Sequence, residues 1–184
     1  MKAITFFDKK KEYRPLSNFW ESKIVVNGRE YESGELCFHG EKYTRLGESE
    51  KEEKRKKELL EYGKRFQIYG DIKTNKEAKQ KGGKNGLCLN KEELRLWDEL
   101  SIDVQFDICL YKFKYYEEVR KWLLKSEDSV LIHPAMRCNN EKMKQRKWEG
   151  RILENGNILG ENRLGSIWMK IRDIWNKVKN EIYE

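Results

Sequence analysis

The chain has 184 residues, 39 of them Lys or Arg and 32 Asp or Glu, for a formal charge of +7. That length holds one compact domain of ordinary size or two small ones, and 12% aromatics with six Trp exclude a disordered chain. No apolar run approaches a membrane span, residues 1–14 lack the apolar core of a signal peptide, and Cys37, Cys88, Cys109 and Cys138 form no Cys-x-x-Cys pair, so the cytosol is expected and neither a zinc site nor a disulfide framework is.

In chain order, residues 4–7 are a short β-prone run, followed at residues 13–20 by YRPLSNFW with one of two prolines. Residues 23–31 read as a hairpin, because Asn27-Gly28 can take the positive φ angles of a type I′ turn. Ser33 suits an N-cap, and Glu35, Phe38 and Lys42 fall at i, i+3 and i+7 on one face of the helix it starts. The charged stretch after Gly47 reads as a second helix ending near Gly63, with both signs interspersed as on a solvated face. Residues 73–84 are Lys-rich with one acid, and Gly82-Gly83 mark a loop or helix end able to face an anion. Asn90 with Glu93 resembles a helix start. Over residues 101–124, Ile102, Phe106, Leu110, Phe113 and Tyr116 recur at helical spacing, and Val104, Ile108 and Cys109 widen them into the face of a buried helix. Residues 130–132 are a short strand ended by His133-Pro134. Residues 136–160 are a long polar connection, and residues 162–182 an amphipathic helix carrying Ile167, Trp168, Ile171, Ile174, Trp175 and Val178. No repeat, linker or composition break interrupts the chain, which gives one domain, residues 1–184, of class α+β, mostly helical, with short N-terminal strands and a β-hairpin.

Four groups of residues could carry chemistry. Ser17 and Asn18 beside Phe19 and Trp20 set polar groups next to flat apolar surface, which suits a ring-plus-sugar ligand, although composition alone favours a stapled turn. The face Glu35, Phe38, Lys42 aligns a carboxylate, an aromatic and an amine, with His39 adjoining. A carboxylate can stabilise an oxocarbenium-like centre or move protons, and a desolvated Lys can act as a neutral nucleophile; on an exposed face both would be ordinary charges. His133 and Arg137 bracket Pro134. Asn162-Arg163-Leu164-Gly165 opens the last helix, where a helix N-terminus and an Arg make a natural anion site unless Asn162 serves only as a cap.

Taken in order, Phe6-Phe7, Ser17-Asn18-Phe19, Glu35, Phe38, Lys42, Trp97, Lys112-Phe113, Leu123-Leu124, Trp148, and Asn162, Leu164, Gly165, Met169 and Arg172 resemble the NADAR, or YbiA-like, family. The resemblance spans nearly the whole chain. It implies the YbiA-like fold and a hydrolase of N-glycosidic bonds that removes ADP-ribose from the amino group of guanine in nucleic acid or nucleotide. It also implies two alternatives: an N-glycosidase of ribosylated riboflavin-synthesis intermediates, or a non-catalytic ADP-ribose- or nucleotide-binding module. Under the resemblance Lys42 captures ribose C1 and Glu35 handles protons. Ser17, Asn18 and Arg163 hold polar groups, Phe38, Trp20 and Trp148 form walls, and Phe19, Trp97, His133, Arg137, Asn162 and Gly165 complete the substrate-binding set. No cofactor or metal is implied. The expected partner is ADP-ribosylated guanine or a related ribosylated nucleotide, with DNA or RNA contact left open and no membrane. The chain departs from the family pattern where His133 replaces an acid after the short strand, and where Gln145, Arg146 and Lys147 precede Trp148-Glu149-Gly150 in place of an acid and Trp-Gly. A Gly-Arg pair survives only loosely as Gly82-Gly83-Lys84. A second acid/base therefore stays open between Glu149 and His133.

Overall fold

The computed structural model describes residues 2–183, so the two ends of the expected 1–184 domain lie outside the described residues. The elements run β1 (Ala3–Thr5), a 3-10 turn (Arg14–Leu16), β2 (Glu21–Val26), β3 (Arg29–Ser33), α1 (Gly34–Ser49), α2 (Glu53–Lys64), α3 (Asn75–Lys81), α4 (Lys91–Tyr115), α5 (Glu117–Lys125), β4 (Val130–Ile132), α6 (Asn140–Lys144), β5 (Arg151–Ile152), β6 (Ile158–Leu159) and α7 (Arg163–Tyr183). The architecture is α+β and mostly helical, with three two-stranded sheets among the described residues. The chain packs as two compact units, residues 18–111 and residues 1–17 with 112–184.

In the unit 18–111, β2 and β3 pair antiparallel around Asn27 (φ 49°) and Gly28 (φ 75°), the two positive angles a type I′ turn demands. Ser33 closes β3, and its hydroxyl accepts from the Leu36 amide at 3.2 Å, capping α1. α1 passes through Gly47 to Ser49. Gly47 is instead where α2 presses against it, since a Cβ there would meet Leu60 at 2.9 Å. The Lys-rich stretch expected as a loop or helix end contains α3. The Thr74 hydroxyl accepts from the Glu77 amide (3.2 Å) while the Glu77 carboxylate accepts from the Thr74 amide (3.0 Å), a capping box that repays the cost of starting a short helix. A second reciprocal pair, Asn90 with Glu93, starts α4. α4 is one helix of 25 residues, and it stops at Tyr115, so the helical pattern of 101–124 is broken before α5. Ile24, Tyr31, Cys37, Tyr43, Leu59 and Ile108 are fully buried in this unit's core.

One carboxylate lies within that core. Glu41 on α1 has no exposed surface, and it accepts from Arg29 Nε at 2.7 Å and Nη2 at 2.9 Å, Arg45 Nε at 3.0 Å and the Tyr31 hydroxyl at 2.8 Å. Two residues of β3 are thereby tied to the helix that carries Lys42.

In the other unit, β1 and β4 pair in parallel with Ala3 opposite Val130 and Thr5 opposite Ile132. α7 docks on β4 through Gly165, where a Cβ would fall 2.1 Å from the Leu131 carbonyl. Trp168 is fully buried and donates its indole N–H to the Leu16 carbonyl at 2.9 Å. Lys112, also fully buried, donates to the Ser17 carbonyl at 2.8 Å. Arg172 donates to Ser126 Oγ at 2.7 Å and the Ser129 carbonyl at 2.9 Å. The apolar stripe of α7 is buried only in its first turns, at Leu164, Ile167, Trp168 and Ile171. Ile174, Trp175 and Val178 are exposed. The polar connection 136–160 holds α6 and the β5–β6 pair. Among the described residues no helix is long and apolar enough to cross a membrane.

Candidate functional site

α1 puts Glu35, Phe38, His39 and Lys42 on one face, as spacings of three, four and seven require. The Lys42 side chain reaches into the protein. The residue is 8% exposed, its ammonium nitrogen sits 4.7 Å from the Tyr43 ring centroid, and Nζ donates to the Gly82 carbonyl at the end of α3. Burial disfavours the charged amine and lowers its pKa from 10.5 to about 8. An amine so tuned keeps a neutral fraction near physiological pH that an ordinary lysine lacks, and the neutral form is what nucleophilic attack requires.

The chain beside that carbonyl is held by two tyrosines. The Tyr62 hydroxyl donates to the Lys81 carbonyl at 3.1 Å, and the Tyr43 hydroxyl lies 3.3 Å from both the Lys81 and Leu87 carbonyls. Gly82 itself has φ −79°, open to any residue, so space alone makes it glycine. A Cβ there would sit 2.1 Å from His39 Nδ1 and 2.7 Å from the Ala78 carbonyl. Gly82→Ala should therefore push the Gly82 carbonyl off the Lys42 amine or displace the His39 ring. We expect a stability cost of about 1–3 kcal/mol, measured by thermal unfolding. A melting temperature equal to wild type in that variant would mean that the fit of Gly82 against His39 and the Ala78 carbonyl is loose.

Around the amine, Glu35 Oε1 lies 3.3 Å from His39 Nε2. Phe38 meets Trp97 of α4 edge to face at 5.0 Å, and His39 meets Phe38 the same way at 5.6 Å. α1 thus offers a carboxylate, an imidazole, an aromatic pair and a desolvated amine on one face. A groove of about 410 Å³ opens elsewhere on this unit, lined by Arg29, Thr44, Glu48, Lys57, Leu60 and Lys64 among others, with charges of both signs. None of the four α1 residues lines it.

The remaining residues expected to bind are placed as follows. In the unit 18–111, the Asn18 amide forms a reciprocal pair with the Gln105 amide (2.7 and 3.0 Å), and its backbone carbonyl accepts from the Glu35 amide at 3.0 Å. Its polar atoms thus set the entry to α1. Phe19 lies under Lys79 at 5.5 Å, its carbonyl accepts from Asn75 Nδ2 at 2.8 Å, and Trp20 is partly buried beside it in sequence. In the other unit, Ser17 is buried with its carbonyl on Lys112. His133 Nδ1 lies 3.3 Å from the Phe6 carbonyl. The Asn162 amide accepts from the His133 backbone N–H at 3.0 Å and donates to the Leu131 carbonyl at 2.8 Å. Asn162 therefore ties down the end of β4. Arg163 pairs with Glu161 at 2.7 Å and lies 5.9 Å from the Trp148 ring, Gly165 is filled against Leu131, and Arg137 is exposed at φ 52°. Glu149 lies 3.8 Å from Arg146. Among the described residues no group of three His, Cys, Asp or Glu is placed to hold a metal ion.

Sequence reasoning did not find the Gly82 carbonyl as the partner of Lys42, or Gln105 as the partner of Asn18. The Gly82-Gly83 pair was the available signal for the first, since a glycine at a helix end allows close backbone approach. Gln105 carried no signal, being one polar residue on a helix.

Comparison with known proteins places these observations. The NADAR domain family matches residues 5–176. The protein irg-1 of Caenorhabditis elegans is 28% identical over 92 residues, which are 50% of this chain and 43% of that protein. The match therefore spans less than half of that relative's length. The solution structure of the Escherichia coli protein YbiA superimposes with a TM-score of 0.63 over 98% of this chain and 88% of that one, at 22% identity, which is a likeness of fold.

Proposed function

The chain belongs to the NADAR domain family, and on that footing we propose that it is an N-glycosidase that releases ADP-ribose from the amino group of guanine, in nucleic acid or nucleotide. The observation that carries this reading is the Lys42 amine, buried on α1 with its pKa lowered to about 8 and sharing a helix face with Glu35.

The bond to be broken joins ribose C1 to an amino nitrogen, and positive charge develops on the sugar as it breaks. The neutral Lys42 amine adds to C1. Glu35 takes the proton the attacking nitrogen sheds and delivers it to the guanine amino nitrogen, which leaves with the electrons of the old bond. The C1–O4 ring bond then breaks as the lone pair of the lysine nitrogen forms the C=N bond, and O4 takes the proton that nitrogen loses, so that Lys42 and C1 are joined as an imine on the opened ribose. Water adds to C1, the C1–lysine bond breaks, and ADP-ribose departs with the amine restored. Splitting one displacement into two lower steps is the gain of covalent catalysis. The edge-to-face pair Phe38–Trp97 supplies a wall for the base or sugar. Because Lys42 is nearly covered, C1 reaches Nζ only as the Gly82 carbonyl yields it.

The sign of the pH dependence follows from the amine. Lys42 must be neutral to attack and is charged below its pKa, so turnover should rise with pH through a midpoint of about 8 and level off above it. A rate that falls across that interval would contradict the nucleophilic amine. The activity itself is tested by incubating the protein with ADP-ribosylated guanosine and ADP-ribosylated DNA and following free ADP-ribose by chromatography. Release from either supports the reading. Tight ADP-ribose binding with no release would make the protein a binding module.

A further inference from the structure

We propose that His39 is a positioning residue for Glu35, holding one carboxylate oxygen through Nε2 so that the other is aimed at the reacting amine and sugar; this rests on the N-glycosidase reading above. His39 sits between the two groups that reading uses. Its Nε2 lies 3.3 Å from Glu35 Oε1, one helical turn back on α1. Its opposite edge lies against Gly82, whose carbonyl holds the Lys42 amine. Phe38 and Phe66 pack on the ring at 5.6 and 6.3 Å and keep it from turning.

The partner of Nε2 decides which tautomer is used. Nδ1 is buried and has no hydrogen-bond partner. An ionised carboxylate only accepts, so an Nε2 lone pair facing Glu35 Oε1 would meet another lone pair, whereas an Nε2–H there completes a hydrogen bond. The neutral ring therefore carries its proton on Nε2 and presents that proton to Glu35. His39 is fixed as a donor, and the carboxylate it holds stays an acceptor with one oxygen engaged and one available. A carboxylate serving proton transfer at C1 gains from that orientation, because small misplacements of a reacting group cost large factors in rate.

The shape-matched pair His39→Gln and His39→Met tests this. Gln keeps an N–H at the reach of Nε2, and Met fills the same space without one. We expect His39→Met to lower kcat about 10- to 100-fold with KM nearly unchanged, and His39→Gln to restore most of kcat. Wild-type kcat in His39→Met, or an equal loss in His39→Gln, overturns the proposal. Should the wild-type protein release no ADP-ribose, the N-glycosidase reading has failed instead. The proposal then stands on the ¹⁵N spectrum of His39: a proton on Nε2 whose signal moves in Glu35→Gln supports it, and a proton on Nδ1 or an unmoved signal overturns it.

Discussion

Lys42→Met should abolish ADP-ribose release, with a fall in turnover of about 10³-fold or more, as follows when a covalent nucleophile is removed. Methionine keeps most of the unbranched stem and removes the amine. The Gly82 carbonyl loses its donor, which costs about 1 kcal/mol. That loss is offset because an amine that burial penalises is no longer buried. The folded state should therefore survive with a nearly unchanged melting temperature, so that lost activity is read as lost chemistry. Lys42→Arg should be equally inactive, since a guanidinium stays protonated and cannot attack C1. Steady-state assays beside thermal unfolding check both. Retained turnover in either variant would remove Lys42 from the mechanism.

Glu41→Ala should strongly destabilise the unit that carries Lys42. Removing this buried carboxylate leaves two guanidinium groups and a tyrosine hydroxyl without their shared acceptor. Breaking a buried ion pair by deleting one partner costs about 3–5 kcal/mol. The arginines keep partial contact with water, at 20% and 29% side-chain exposure, and each retains a second acid, Glu48 for Arg29 and Asp107 for Arg45. The cost should fall at the lower end, about 3 kcal/mol, or a loss of roughly 6–12 °C in melting temperature at this chain length. Glu41 also precedes Lys42 on α1 and sets the rotation of that helix against β3, so residual activity should fall along with stability. A melting temperature within a degree or two of wild type would mean that the cluster is dispensable.

What could be read from the sequence tracks how local each feature is. The Asn27-Gly28 turn, the Ser33 cap and the shared face of Glu35, Phe38 and Lys42 depend on residues within two helical turns, and all are present. Helix α3 was hidden because five lysines from Lys73 to Lys84 outweigh, in composition, the single Thr74–Glu77 box that starts it. The break at Tyr116 was hidden because apolar periodicity continues across it into α5. The exposed face of Ile174, Trp175 and Val178 follows the same period as the buried turns before it, so the pattern alone cannot tell them apart. In the candidate site, the residue types on α1 were legible. The hydrogen-bond partner of Lys42 was not, because Gly82 comes to it from 40 residues away. Asn18 was legible as a polar group beside aromatics, but its partner Gln105 is 87 residues distant, and that pairing commits the amide to the fold.

The most direct measurement is reductive trapping. Wild-type protein is mixed with ADP-ribosylated guanosine, sodium borohydride is added during turnover, and the digested protein is mapped by mass spectrometry. A single reduced adduct of ADP-ribose on Lys42, absent from Lys42→Met, is the predicted result. Release of ADP-ribose with no adduct, or an adduct spread over surface lysines and undiminished in Lys42→Met, would contradict capture of C1 by the buried amine.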